Sequence, residues 1–355
     1  MIRMYPALAA CLALYACNGK TTPTSKIATP TSNETAPIRA LTAEEASLRI
    51  ARATTEGSDK LDLSNFTSLD PKVAAAVATF TGYDLYLNGI RSLDVNTAKS
   101  LAAWPGYNLD LNGIRALDAS TAKALATWKG KYLSLNGLSS LETNTVKALA
   151  TWEGEYLYLN GFSSLETNTI KALADWKGKH LWLDGLQAIE ATTAKALSDF
   201  KGERDELSLN GVTSLNVITA RALALSKWSV LSLNGLKSLD INTVKALAIW
   251  EGNTLYLNGV TSLDEATAKA LAAWTGYNLY LDGLKSLDAN TVKALATWKG
   301  KYLYLNGVTS LDEATAVALA TWKGSELYLG AIQEPSEETK AALRAFSGNL
   351  NVSWK

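Results

Sequence analysis

The chain repeats itself. Leucine pairs of the form L-x-L begin at Leu61, Leu85, Leu109, Leu133, Leu157 and Leu181, and again at Leu207, Leu231, Leu255, Leu279, Leu303 and Leu327. The step is 24 residues, with a single step of 26 between Leu181 and Leu207. A fixed period of this size marks a stacked array. One unit is too small to bury its own leucines, so its neighbours must supply the core. A last half-unit begins near Leu350.

One unit illustrates the local structure. Leu279-Tyr280-Leu281 alternates with period two, which predicts a strand with the leucines on one side and Tyr280 on the other. Asp282-Gly283 reads as a turn in which the glycine takes a positive φ. Leu284 and Leu287 carry the apolar face onward, and Asp288 stands where an N-cap belongs. A helix is expected over 289–299, with Gly300 as the glycine that ends it. Such a helix spans roughly 16 Å at about 1.5 Å per residue, and a strand of about five residues spans the same length. Strand out and helix back therefore match. Successive strands must be parallel, and such crossovers are right-handed. The expected fold class is α/β: a right-handed βα solenoid, with a parallel sheet on one face and helices on the other. It should hold twelve repeats and a terminal strand over 59–355. Thr42 with Glu45 three residues on forms a capping box for an N-terminal capping helix within 41–58.

The L-x-L pairs, such as Leu133/Leu135 and Leu303/Leu305, with a further Leu or Ile a few places on, resemble a leucine-rich-repeat protein over about 59–355. The resemblance implies a binding scaffold without catalytic activity. The pattern departs from the family at one place. Asparagine follows the second leucine directly here, as in Asn136 and Asn306, so the family's buried asparagine ladder does not carry over.

Composition narrows the function. The 355 residues hold 34 Lys plus Arg and 34 Asp plus Glu. Zero net charge argues against a nucleic-acid partner, which requires a basic surplus. Two cysteines and one histidine exclude a disulfide scaffold and a Cys/His zinc site, and no cofactor is expected.

The N-terminus reads as an address. Arg3 gives a positive n-region and Ala7 to Ala16 an apolar h-region. Leu14-Tyr15-Ala16-Cys17 then resembles a bacterial lipobox. That resemblance implies that residues 1–16 are a removed signal peptide and that Cys17 carries lipid. Ordinary signal cleavage, with Cys17 a bystander, is the alternative. Residues 17–40 are rich in Thr, Ser and Pro and read as a disordered tether. No apolar run reaches the length of a membrane span, so membrane contact is expected through the lipid alone. The expected location is the bacterial cell envelope, at the outer membrane or cell surface.

Stacking turns each repeat position into a column. The helix-end aromatics, from Trp104 and Trp128 to Trp322 and Phe346, read as packing. A lysine column from Lys99 to Lys293 reads as a solvated outer helix face. The outward strand positions carry two aromatic groups. One is Tyr132, Tyr156, Tyr158, His180 and Trp182; the other is Tyr256, Tyr280, Tyr302, Tyr304 and Tyr328. Beside them runs a column of Asn and Asp that includes Asp184. Aromatic rings beside amides and carboxylates suit a protein partner, or the sugar rings of a surface glycan. The same columns also read as a cross-strand ladder with Asn stabilising the turn. Asp184 and Glu206 are placed to approach each other across two strands, but with a lone histidine at position 180 no catalytic set assembles. The array breaks its rule at Glu203-Arg204-Asp205-Glu206 and again at Ser226 and Trp228, marking either a bend or docking point or a tolerated irregularity.

Overall fold

A computed structural model describes residues 39–201 and 204–354. The expected signal peptide, Cys17 and nearly all of the tether lie outside the described residues. Helix α1 (Ala43–Thr55) comes first, and the Thr42 side chain accepts from the Glu45 backbone N–H as its cap. Thirteen strands follow as one parallel sheet in strict sequence order. They are β1 (Lys60–Asp62), β2 (Asp84–Tyr86), β3 (Asn108–Asp110), β4 (Tyr132–Ser134), β5 (Tyr156–Tyr158), β6 (His180–Trp182) and β7 (Arg204–Ser208), then β8 (Trp228–Ser232), β9 (Thr254–Tyr256), β10 (Asn278–Tyr280), β11 (Tyr302–Leu305), β12 (Glu326–Ile332) and β13 (Asn349–Trp354). A helix links each consecutive pair. The result is an open βα solenoid.

Register matches leucine to leucine, as in Leu133 with Leu157 and Leu279 with Leu303. Both leucines of each pair are buried. The core is one continuous band running the length of the array.

Three expectations about the unit are corrected. The helix of the Leu279 repeat is Ala289–Leu295, seven residues, with Ala296 as its C-cap in right-handed helical conformation. The regular strands hold three residues rather than five. Helix and strand still match, at about 10 Å each, because both are shorter. The chain leaves the helix early so that the tryptophan can drop into the core. The glycines also have another cause. Among the described residues only Gly57 and Glu334 have positive φ. A Cβ on Gly283 would lie 2.3 Å from the Asn258 carbonyl oxygen and 2.4 Å from that of Val260. One on Gly300 would lie 1.9 Å from the Trp298 ring. These glycines exist because the neighbouring turn, or the indole, occupies the space a side chain needs.

The helix-end aromatics are buried and form a spine. Trp104, Trp128, Trp152 and Trp176 stack in one run, and Trp250, Trp274, Trp298, Trp322 and Phe346 in another. Neighbouring centroids lie 5.7 to 6.2 Å apart. Trp104, Trp128 and Trp322 donate their indole N–H to the backbone carbonyl of the aromatic residue one repeat earlier. On the opposite face of the sheet, stacked rings lie only 3.9 to 4.2 Å apart. Strands sit about 4.8 Å apart and packed helices about 8–10 Å. A stack of such units must curve toward its strands. Side chains on the strand face converge and those beneath it diverge, as the two spacings record.

Between the two runs the spine changes. Phe200 and Trp228 meet at a tilt of 47°. Beside them lies Arg204, only 2% exposed. Its guanidinium donates to the backbone carbonyls of Gly178 and Trp176 and lies 5.4 Å from the Phe200 ring centroid. It has no carboxylate partner, and burial pulls it below its ordinary pKa.

Candidate functional site

The outward side chains of the sheet form the candidate surface. In each strand, the two residues flanking the buried leucine point away from the core. The structure brings the first expected group together as a five-ring block. Tyr132 stacks on Tyr156 at 3.9 Å, and Tyr156 on His180 at 4.1 Å. Tyr158 stacks on Trp182 at 4.2 Å, and His180 and Trp182 lie 5.7 Å apart. The second group is a file of four: Tyr256, Tyr280, Tyr304 and Tyr328, at 4.1, 3.9 and 4.2 Å. Tyr302 faces outward in the adjacent column but joins no ring stack.

Stacking decides what these rings present. All are half-buried. Each ring inside a block has its faces covered by its neighbours and offers its edge to solvent, while a ring at the end of a block is stacked on one side only. Several phenols are held in the protonated form. Burial, then hydrogen bonding to Tyr132, raises Tyr156; burial, then hydrogen bonding to Tyr304, raises Tyr280. Burial raises Tyr256 as well. Tyr328 donates to the Glu326 carboxylate, and that bond is the main cause of its raised pKa. Tyr86 is pushed up to about 12, first by burial and then by Asp84.

The Asn/Asp column is a ladder rather than a set of isolated turns. The Asn112 side-chain oxygen accepts from the backbone N–H of Asn136, whose own side-chain oxygen accepts from that of Asn160. The same bond continues through Asp184, Asn210, Asn234, Asn258 and Asp282 to Asn306. The family's ladder was not expected to carry over. An analogous one is built here at the residue after the second leucine, where each side chain reaches the next turn's amide. Serines join it: Ser134, Ser208 and Ser232 donate to Asn112, Asp184 and Asn210. Burial raises the Asp282 and Asp110 carboxyls.

Asp184 is therefore a rung, and it does not meet Glu206. Register places Glu206 opposite His180. His180 Nδ1 lies 3.7 Å from Glu206, and its Nε2 lies 3.3 Å from Asp205. Between the two blocks, β7 and β8 carry Glu206, Ser208, Val230 and Ser232 in the outward positions. Inner spine and outer ring blocks thus break at the same two repeats. Sequence reasoning missed the inward turn of Arg204. The two-residue insertion was its only signal.

No family model matches the sequence, and no curated protein matches it. Solved structures do. TLR13 in its complex with ssRNA13 matches with a TM-score of 0.51 at 18% identity, over 83% of this chain and 46% of that one. Toll in its complex with Spatzle, from Drosophila, matches with a TM-score of 0.52 at 11% identity, over 89% and 42%. An internalin from Listeria monocytogenes matches with a TM-score of 0.48 at 17% identity, over 88% and 84%. The fold is a leucine-rich-repeat solenoid. The chain spans under half the length of the TLR13 and Toll chains. Among the described residues no helix is long and apolar enough to cross a membrane.

Proposed function

We propose that this solenoid is a non-enzymatic interaction module that presents its strand face to a protein partner, held at a bacterial cell surface by lipid on Cys17. The observation that carries the reading is the face-to-face stacking of the strand-face rings. A sugar bound by an aromatic residue lies flat on a free ring face. Here the rings inside each block spend their faces on each other, and most of the surface consists of ring edges, hydroxyls and carboxylates. Rigid rings of this kind lose little entropy on binding and donate hydrogen bonds at their tips, as in tyrosine-rich paratopes. A file locked by its neighbours is ordered before the partner arrives, which lowers the cost of association.

The test is capture from surface extracts of the source cell with the mature chain. A specific protein should be recovered by the wild type and lost with the Tyr280→Ala/Tyr304→Ala variant. Retention on a glycan array, abolished by the same variant, would replace the protein reading with the glycan one. Lipid on Cys17 is checked by mass spectrometry of the membrane-extracted protein; an unmodified Cys17 would remove the anchor from the proposal.

A further inference from the structure

Charge on this molecule sums to zero but is not evenly placed. The outward strand positions hold Asp62, Asp84, Asp110, Glu206 and Glu326, against one lysine, Lys60, which already pairs with Asp84 at 3.8 Å. The helix side is mixed, with an acidic N-cap on most helices, such as Asp94, Asp118, Glu142 and Asp240. Nine consecutive helices, from the one holding Lys99 to the one holding Lys293, each carry a cation in the last turn. Of these nine only Lys195 is in an ion pair, with Asp199. A partner approaching in solution meets an acidic tyrosine face on one side and a face of mixed charge on the other. A field of that form favours a cation at the strands.

The break between the aromatic blocks concentrates these features. Asp205 and Glu206 have side chains 50% and 25% exposed, and their ionic contacts are to His180 alone. Among the described residues no lysine or arginine pairs with either. The adjacent Arg204 does not neutralise them, because it turns inward and spends its guanidinium on two backbone carbonyls. Trp182 ends one block and Tyr256 ends the other. No ring stacks on the side of either that faces the break. Register sets Ser208 beside Trp182 and Ser232 beside Tyr256, with Glu206 two residues before Ser208 on the same strand, so a long cationic side chain can pack on an end ring while its head reaches the carboxylate.

We propose that the strand face takes a cationic polypeptide, and that an arginine or lysine of that partner docks at the break between the aromatic blocks, on Asp205 and Glu206. The proposal rests on the reading of the strand face as the interaction surface and gives the partner its chemistry.

The test uses a random peptide display library panned against the full chain, with selected peptides re-measured by fluorescence anisotropy. Binders should be rich in arginine and lysine. Asp205→Lys/Glu206→Lys should weaken them at least tenfold, and Asp205→Asn/Glu206→Gln, which keeps size and fold, by a smaller factor. Lys147→Glu/Lys171→Glu on the helix side should change binding less than twofold. Neutral or acidic binders, or binders indifferent to the charge variants yet lost with Tyr280→Ala/Tyr304→Ala, would overturn the cationic partner and leave the strand face in place. Binders indifferent to every strand-face variant, or no binder above background, would overturn both.

Discussion

Two regions of the same array follow different rules. The repeats around Trp152 share their core columns, with the same leucine pair, tryptophan and glycines in each. The repeats around Arg204 do not keep them all. In the regular region Trp152 is sandwiched between parallel indoles at 5.9 and 6.2 Å. In the irregular one the spine tilts at Phe200 and Trp228, and a buried guanidinium lies against it without a counter-charge. Buried side-chain atoms without a partner occur in both regions, but of different kinds: indole Nε1 atoms such as those of Trp152 and Trp176 in the regular spine, and Arg204 Nε, Thr219 Oγ1 and Ser226 Oγ in the irregular repeats. Identical neighbours pack on each other by translation, even where an indole N–H is left without a partner; a departure must find its packing and its hydrogen bonds locally. The backbone nevertheless stays paired across both strands, because Arg204 with Trp228 and Leu207 with Leu231 keep register.

The sharpest way to break this comparison is to remove one side chain from each region. Trp152→Ala should cost about 3–5 kcal/mol in urea unfolding, the range for emptying a large aromatic site. Arg204→Met should change stability by less than about 1.5 kcal/mol. It deletes two hydrogen bonds to carbonyls but also removes a desolvated charge that no acid balances. Equal losses in the two variants would mean that the irregular repeats are as tightly determined as the regular ones.

A smaller effect tests the source of the regular spacing. Gly283→Ala should cost about 1–3 kcal/mol, since the new methyl would press on backbone carbonyls of the preceding turn that cannot rotate away. Gly283 has no positive φ, so conformational freedom plays no part. A neutral result would show that the turns are not in contact.

The smallest effect separates repeats by their helix caps. Asp118 accepts from the backbone N–H groups of Ser120 and Thr121. Hydrogen bonds from Ser120 and Thr121 lower its carboxyl from 3.8 to about 2. Glu142, Glu166 and Glu190 occupy the same position without a side-chain cap bond. Asp118→Ala should therefore cost about 1 kcal/mol at pH 7, and Glu166→Ala almost nothing. Because the folded-state value is depressed, the Asp118 contribution is fully present above about pH 4 and disappears as the pH falls through about 2. Urea unfolding of the two variants at pH 7 and pH 2 checks this; a pH-independent difference would assign the effect to something other than the ionised cap.

Much of this was legible in the chain because the period made it so. Leu133 and Leu157 recur at one spacing, which is enough to require stacking, parallel strands and a shared interior. Thr42 and Asp288 announce helix starts through local chemistry that needs no neighbour. The two tyrosine groups were visible as columns for the same reason. What the period could not convey was how close the copies sit.

Sequence by itself determined the repeat, its alternation, its caps and the face on which Tyr280 and Tyr304 stand, since each depends on residues near one another along the chain. Only the tertiary structure decided that ring lies on ring, that Asn136 reaches the next turn's amide, that Gly283 is small to admit a carbonyl, and that Arg204 turns inward while Asp205 and Glu206 remain outside. Those facts depend on the few ångströms between one copy and the next. That distance is set by curvature, as wide helices and narrow strands are packed into a single stack.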